Sequence, residues 1–182
     1  NLDICKGEHV GLMGRTGCGK STLLDVFMGL LTPTDGDLLI DGQKIRGDRR
    51  LAWSNSVAHV PQDVFLADIS LAENIAFGVP AADIDWDLVE ESAELAELAT
   101  VIAELPKGLN TELSERGIRL SGGQRQRIGL ARALYRQRDV LVLDEATSAL
   151  DGVTEARVHR SLTKDLTIVL VSHRLDALSM CD

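Results

Sequence analysis

The sequence predicts an α/β protein with a mostly parallel sheet flanked by helices. Three observations carry that expectation. Strand and helix signals alternate along the 182 residues. Val140-Leu141-Val142-Leu143 is a continuous apolar run, and Thr167 to Val171 is a second; such runs mark parallel strands covered on both faces. A Gly-rich turn at residues 14–21 lies between a strand signal and a helix signal, the setting of a phosphate-binding loop.

The elements follow in order. His9-Val10-Gly11-Leu12-Met13 reads as a short buried strand running into the Gly-rich turn. Lys20 to Leu30 follows as a helix, stopped by Thr32-Pro33. Asp37 to Ile40, then Asp41-Gly42, reads as a strand and tight turn. Val57-Ala58-His59-Val60 is a strand ended by Pro61. From about Ser70 to Arg136 the pattern is helical. Trp86, Val89, Ala93, Ala96, Ala99 and Ala103 recur at steps of three or four, an amphipathic stripe, which Pro106-Lys107-Gly108 closes. Ser121 stands three before Gln124, a capping-box spacing that starts a helix to Arg136. The organisation expected is one α/β core, residues 1–62 and 137–182, with a helical insertion at about 63–136.

Bulk properties bound the function. Hydrophobic residues are 45% and charged residues 26%, with a formal net charge of −9. An acidic chain is a poor general nucleic-acid binder, whose surface is usually basic. Aromatics are 3%, so the core is built from Leu, Val, Ile and Ala. The three cysteines, Cys5, Cys18 and Cys181, show no CxxC spacing. A disulfide framework or zinc site is not expected, and a reducing cytosolic setting fits best. No apolar run approaches the ~18 residues of a membrane span, and no signal peptide is visible. The first residue, Asn1, is not methionine, so a piece of a longer protein is expected.

Five places carry chemistry. Gly14-Arg15-Thr16-Gly17-Cys18-Gly19-Lys20-Ser21 is a complete P-loop pattern. Its glycines let backbone wrap phosphates, Lys20 supplies a point charge, and the Ser21 hydroxyl can ligate Mg²⁺. Leu120-Ser121-Gly122-Gly123-Gln124 is a second Gly-rich turn opening a helix, which presents N–H groups to an anion. Asp144-Glu145 ends the Val140–Leu143 run, and ligands of open α/β sheets bind beyond the carboxyl ends of strands. There Asp144 can hold Mg²⁺, and Glu145 can accept a proton from an attacking water or merely cap the next helix. His173 follows the Thr167–Val171 run and can bond a γ-phosphate or serve structurally. Gln62, after Pro61, can contact Mg²⁺ or water, or be a plain loop glutamine. His9, His59 and His159 read as structural. The Glu90, Glu91, Glu94, Glu97 cluster reads as a solvated helix face, and Asp48-Arg49-Arg50 as a solvated loop.

Taken in order, these elements resemble the nucleotide-binding domains of ABC transporters: Walker A at 14–21, the Q-loop glutamine Gln62, the signature at 120–124, Walker B at Val140–Asp144 with Glu145, and the switch histidine His173. Ser148-Ala149-Leu150-Asp151 is similar to the family's D-loop. Thr111-Glu112-Leu113-Ser114-Glu115-Arg116-Gly117 resembles the X-loop of exporters with an N-terminally fused membrane domain, with Ser114 where that motif usually has Gly. The stretches 60–66 and 73–75 are also exporter-like.

The resemblance implies a RecA-like P-loop NTPase core with an ABC-type helical subdomain, and ATP hydrolysis powering export. It implies that Lys20 and backbone N–H groups around 17–22, to Thr22, cradle the phosphates. Ser21, Gln62 and Asp144 arrange Mg²⁺, Glu145 is the general base, and His173 holds the γ-phosphate. Ser121, Gly122, Gly123 and Gln124 face ATP on the Walker A of a second nucleotide-binding domain. A transmembrane domain, on the same full-length polypeptide, completes the expected partners at the cytoplasmic face of a membrane. Nucleic acid is not an expected partner. The competing reading, a soluble ABC-type ATPase acting on nucleic acid or ribosomes, expects coiled-coil or basic insertions that this acidic chain lacks. Family domains stack adenine on an aromatic residue upstream of Walker A; here no Phe, Tyr or Trp precedes Gly14, so these 182 residues are expected to bind ATP weakly and with little base selectivity.

Overall fold

A computed structural model describes residues 2–15, 17–113, 120–162, 166–178 and 181. Four strands form one sheet: β1 (His9–Leu12), β4 (Val57–Val60), β5 (Val140–Asp144) and β6 (Thr167–Val171), in the spatial order β1-β6-β5-β4. Every neighbouring pair is parallel. The mostly parallel sheet expected from the apolar runs is therefore present. All five residues of β6 and the first four of β5 are buried, as central strands covered on both faces must be. The register aligns Leu12 with Val171, Asp144 with Val171, and Val60 with Leu143. Parallel strands in this register bring their carboxyl ends to one edge. The Gly14 loop, Gln62, Glu145 and His173 all leave from that edge.

One face of the sheet is covered by α1 (Lys20–Phe27), whose buried Leu24 packs with Met28, Val142, Val169 and Val171. The larger core lies on the other side. It joins Ala58, Val60, Leu141, Leu143, Ile168 and Leu170 of the sheet to the helical residues Leu71, Ile75, Val89, Ile128 and Val158. Truncating any one of these fully buried large side chains to Ala is expected to cost about 2–5 kcal/mol.

The main helices within residues 63–136 are α3 (Leu71–Ile75), α4 (Trp86–Leu95), α5 (Ala99–Glu104) and α6 (Gly122–Tyr135). Ser70 and Glu73 close a capping box at the start of α3. Asn74 is fully buried and holds Ala67 through both of its amide atoms, while its backbone oxygen accepts from Arg132 Nε at 2.9 Å. That knot ties the segment after Gln62 to α6. Arg132 also lies 4.7 Å from the centre of the Phe77 ring, a cation–π contact.

Several sequence expectations are corrected. The first helix ends at Phe27 rather than Leu30, because Gly29 turns left-handed with φ 73°. The strand expected at 37–40 shrinks to β2 (Leu39–Ile40), which pairs with β3 (Gln43–Lys44). Asp41 and Gly42 between them both have positive φ, as a two-residue hairpin turn of this hand demands. Asp48-Arg49-Arg50 is not a loop: it opens α2 (Asp48–Ser56). That helix buries no residue fully; it is tethered where Trp53 Nε1 donates to the Phe27 carbonyl and the two rings meet edge-on, 5.8 Å apart. The single stripe drawn through Ala103 breaks at Glu97, whose φ is 57°. Before the break Val89, Ala93 and Ala96 are buried; after it the buried face moves to Leu98 and Val101, while Ala99 and Ala103 are exposed.

The final helices are α7 (Gly152–Ser161) and α8 (Leu175–Leu178). His159 on α7 is held below the usual histidine range, first by burial and then by His9, with Glu155 opposing. A depressed imidazole binds its proton in the unfolded chain before the folded one. Stability is therefore full above the unfolded value of 6.5 and declines as pH falls below it. Urea midpoints measured either side of that pH should fall with acid, and fall less in H159Q. An equal acid loss in both proteins would remove His159 as the source.

Candidate functional site

The first Gly-rich turn is built on the edge of the sheet. Gly17 and Gly19 have φ 81° and 95°, a left-handed backbone that glycine adopts without strain. Gly19 is the N-cap residue of α1, so the free N–H groups of the first helical turn, at Lys20, Ser21 and Thr22, open toward the loop. Cys18 N–H closes the turn onto the Arg15 carbonyl at 3.1 Å. Lys20 Nζ donates to the carbonyls of Gly14 at 2.7 Å and Arg15 at 3.2 Å. A lysine folded over its own loop in this way can trade carbonyls for phosphate oxygens. Thr16 lies outside the described residues.

Asp144 and Glu145 leave the end of β5. Burial pushes the Asp144 carboxyl above the usual carboxylate range; Glu145 and Asp25 add to that, while His59 and Lys20 oppose it. A carboxylate so placed favours a nearby cation. The chemistry of this donor set, one carboxylate with the Ser21 hydroxyl and the Gln62 amide as neutral oxygens, would suit Mg²⁺. Among the described residues no group of three or more His, Cys, Asp and Glu could hold a metal. Gln62 is exposed beyond β4.

Glu145 sits in a left-handed conformation, φ 51°, uncommon and strained for a residue with a side chain. Its N–H donates to the Val171 carbonyl at 2.9 Å, which locks it against the end of β6. His173 Nε2 lies 2.7 Å from Glu145 Oε1, an ion pair when the ring is protonated. The two residues thus meet across neighbouring strands.

The second Gly-rich turn is the N-terminus of α6. Ser121 Oγ accepts from the Gln124 N–H at 3.2 Å, and Gln124 Oε1 accepts from the Ser121 N–H at 2.7 Å. The capping box expected from the spacing is complete. The turn packs on residues 149 and 150. A Cβ at Gly123 would lie 2.7 Å from the Ala149 carbonyl oxygen, and one at Gly122 3.3 Å from the Ala149 Cβ. One turn further along α6, buried Gln126 donates to the Glu145 carbonyl at 3.2 Å and Ser148 Oγ at 3.1 Å, and accepts from the Ala149 N–H at 2.9 Å.

A sequence profile of the ABC transporter family matches residues 1–148. The chain belongs to the ABC transporter family. This ABC domain is 40% identical over 184 positions to the heterocyst differentiation ATP-binding protein HepA of Nostoc sp., covering all of this chain and 30% of that protein. It is 40% identical over 186 positions to an ATP-dependent lipid A-core flippase of Cupriavidus pinatubonensis, covering all of this chain and 32% of the flippase. Its fold superposes on a bacterial Atm1-family ABC exporter solved with ATP bound, with a TM-score of 0.90 and 34% identity, over all of this chain and 32% of that one. The ABC domain thus spans about a third of the length of these relatives. The expected fold class and family are both present.

Gln126 escaped the sequence reading, as did Thr147, Glu155 and Arg174, whose contacts appear below. Gln126 offered one signal, a polar residue three and four positions before buried Gly129 and Leu130, and so on their side of the helix. The segment expected to resemble the X-loop is described only for residues 111–113. There Thr111 and Leu113 are buried and Glu112 bridges to Ser70; Ser114 to Gly117 lie outside the described residues.

Proposed function

We propose that this domain binds and hydrolyses ATP to drive export across a membrane. The observation that carries the reading is the His173–Glu145 contact, 2.7 Å long. It stands at the carboxyl ends of adjacent parallel strands, on the edge from which the Lys20 loop also leaves. Backbone N–H groups around 17–22 and Lys20 hold the β- and γ-phosphates. Ser21, Gln62 and Asp144 hold Mg²⁺. When bound, the ion neutralises charge on the phosphate oxygens. Glu145 takes a proton from water as its oxygen bonds to the γ-phosphorus and the bond to the ADP oxygen breaks. His173, released from Glu145, donates Nε2–H to the γ-phosphate.

In this reading Ser121, Gly122, Gly123 and Gln124 bind the γ-phosphate held on a second domain's Walker A, with the helices of residues 63–136 carrying that arm. A transmembrane domain on the same full-length polypeptide is the second partner, and the domain works at the cytoplasmic face. The relatives named above, a flippase and an exporter, support export. Full-length protein in lipid vesicles should hydrolyse MgATP faster when a lipid or peptide cargo is added, and not when DNA or RNA is added. Stimulation by nucleic acid alone would contradict the reading.

A further inference from the structure

Glu155 is a charged residue that the reaction does not use, and it is only 3% exposed. A buried carboxylate is costly unless both oxygens are satisfied. Here they are satisfied by two different segments. Oε1 accepts from Thr147 Oγ1 at 2.6 Å, two residues after Glu145. Oε2 pairs with Arg174 at 3.1 Å, one residue after His173. Arg174 also donates to the Leu150 carbonyl at 3.1 Å, and its own N–H donates to Ser172 Oγ at 3.0 Å. Successive side chains here diverge: His173 reaches Glu145 while Arg174 reaches Glu155.

One carboxylate therefore anchors both arms of the His173–Glu145 contact, at Thr147 on one side and Arg174 on the other. The planar guanidinium forks between Glu155 and Leu150, which fixes direction as well as distance. The carboxylate is buried while the Arg174 side chain is 35% exposed; such a pair is a weak source of stability, and its two-pronged contacts act on geometry. We propose that Arg174, held by Glu155, is a positioning residue for catalysis: it sets His173 against Glu145 and the γ-phosphate, and ties that setting to residues 147–150. This rests on the ATPase reading given above.

The test uses full-length protein in lipid vesicles and steady-state ATPase assays. R174M should lower kcat on the order of 10²-fold, the scale of a misplaced catalytic group, with the KM for MgATP unchanged within about twofold. R174K keeps the charge but loses the fork, and should stand between, about tenfold below the parent. The double variant E155Q/R174M should be no slower than R174M, because both act through one contact. Thermal unfolding identifies any variant that fails to fold, and R174K then carries the test. A parent-level kcat in folded R174M or R174K overturns the proposal. So does a loss that only tracks the folded fraction, or a kcat and KM that change together. E145Q separates the two readings. If E145Q is inactive while R174M is normal, positioning fails alone; if E145Q is fully active, the site reading has failed first.

Discussion

Replacing Glu145 by glutamine should leave MgATP bound and nearly abolish its turnover. A general base contributes ~10²–10⁴-fold, and kcat in E145Q should fall by on the order of 10³-fold or more. The backbone at this position is held independently of the carboxylate, by Val171 through the N–H and by Gln126 through the carbonyl. The amide therefore stays in place and loses only the capacity to take a proton. Its remaining oxygen can still accept from His173 Nε2, which reaches Oε1 in the parent. Since binding outlasts hydrolysis, the full-length variant should accumulate as a nucleotide-bound dimer. Rapid-filtration binding and phosphate release measure the two halves separately, and parent-level phosphate release would remove Glu145 from the base role.

Gly123→Ala should be the second large effect, for a steric reason. The added methyl would stand 2.7 Å from the Ala149 carbonyl oxygen and 3.2 Å from Leu150 Cδ2. The first neighbour is backbone, so either the second Gly-rich turn or residues 148–151 must move. The turn is the part of this domain that the proposed partner's nucleotide meets. A displacement of about 1 Å is enough to cost ~10²-fold in rate. ATP binding to the loop at 14–21 should persist, because the atoms nearest the added methyl belong to residues 149 and 150 rather than to that loop. Turnover and ATP-dependent dimer formation should fall together. Normal turnover in G123A would mean that the turn takes no part in the reaction.

The sheet and its edge were legible because their logic is local and chain-wide at once. Val140–Leu143 and Thr167–Val171 are apolar without alternation, and only a doubly covered strand uses such a run. Gly17, Gly19 and Lys20 announce a loop whose backbone needs are specific. The family resemblance then ordered Gln62, Glu145 and His173 along one edge, where the parallel register brings them. Other features resisted reading for physical reasons. α2 hides no residue fully, so it lacks the apolar period that marks a helix. The bend at Glu97 rests on one left-handed residue inside an otherwise continuous stripe. Gln126, Glu155 and Arg174 look like surface residues in one dimension. Their placement is intelligible only with their partners on other segments: Gln126 meets Glu145 across 19 residues, Arg174 meets Leu150 across 24, and Glu155 meets Thr147 across 8.

In the proposed dimer the Gly14–Ser21 loop of one chain is completed by the Ser121–Gln124 turn of another. The loop carries its own probe, the exposed thiol of Cys18. In full-length E145Q protein with Cys5 and Cys181 replaced by serine, S121C adds a second thiol at the turn. A disulfide needs Cα atoms about 4.4–6.8 Å apart, so mild oxidation reports contact directly. The expected result is a Cys18–S121C bond between chains, seen as a covalent dimer that forms with MgATP and is absent without it. Oxidation that yields no covalent dimer in MgATP, while both thiols react freely with a small alkylating reagent, would contradict the shared site.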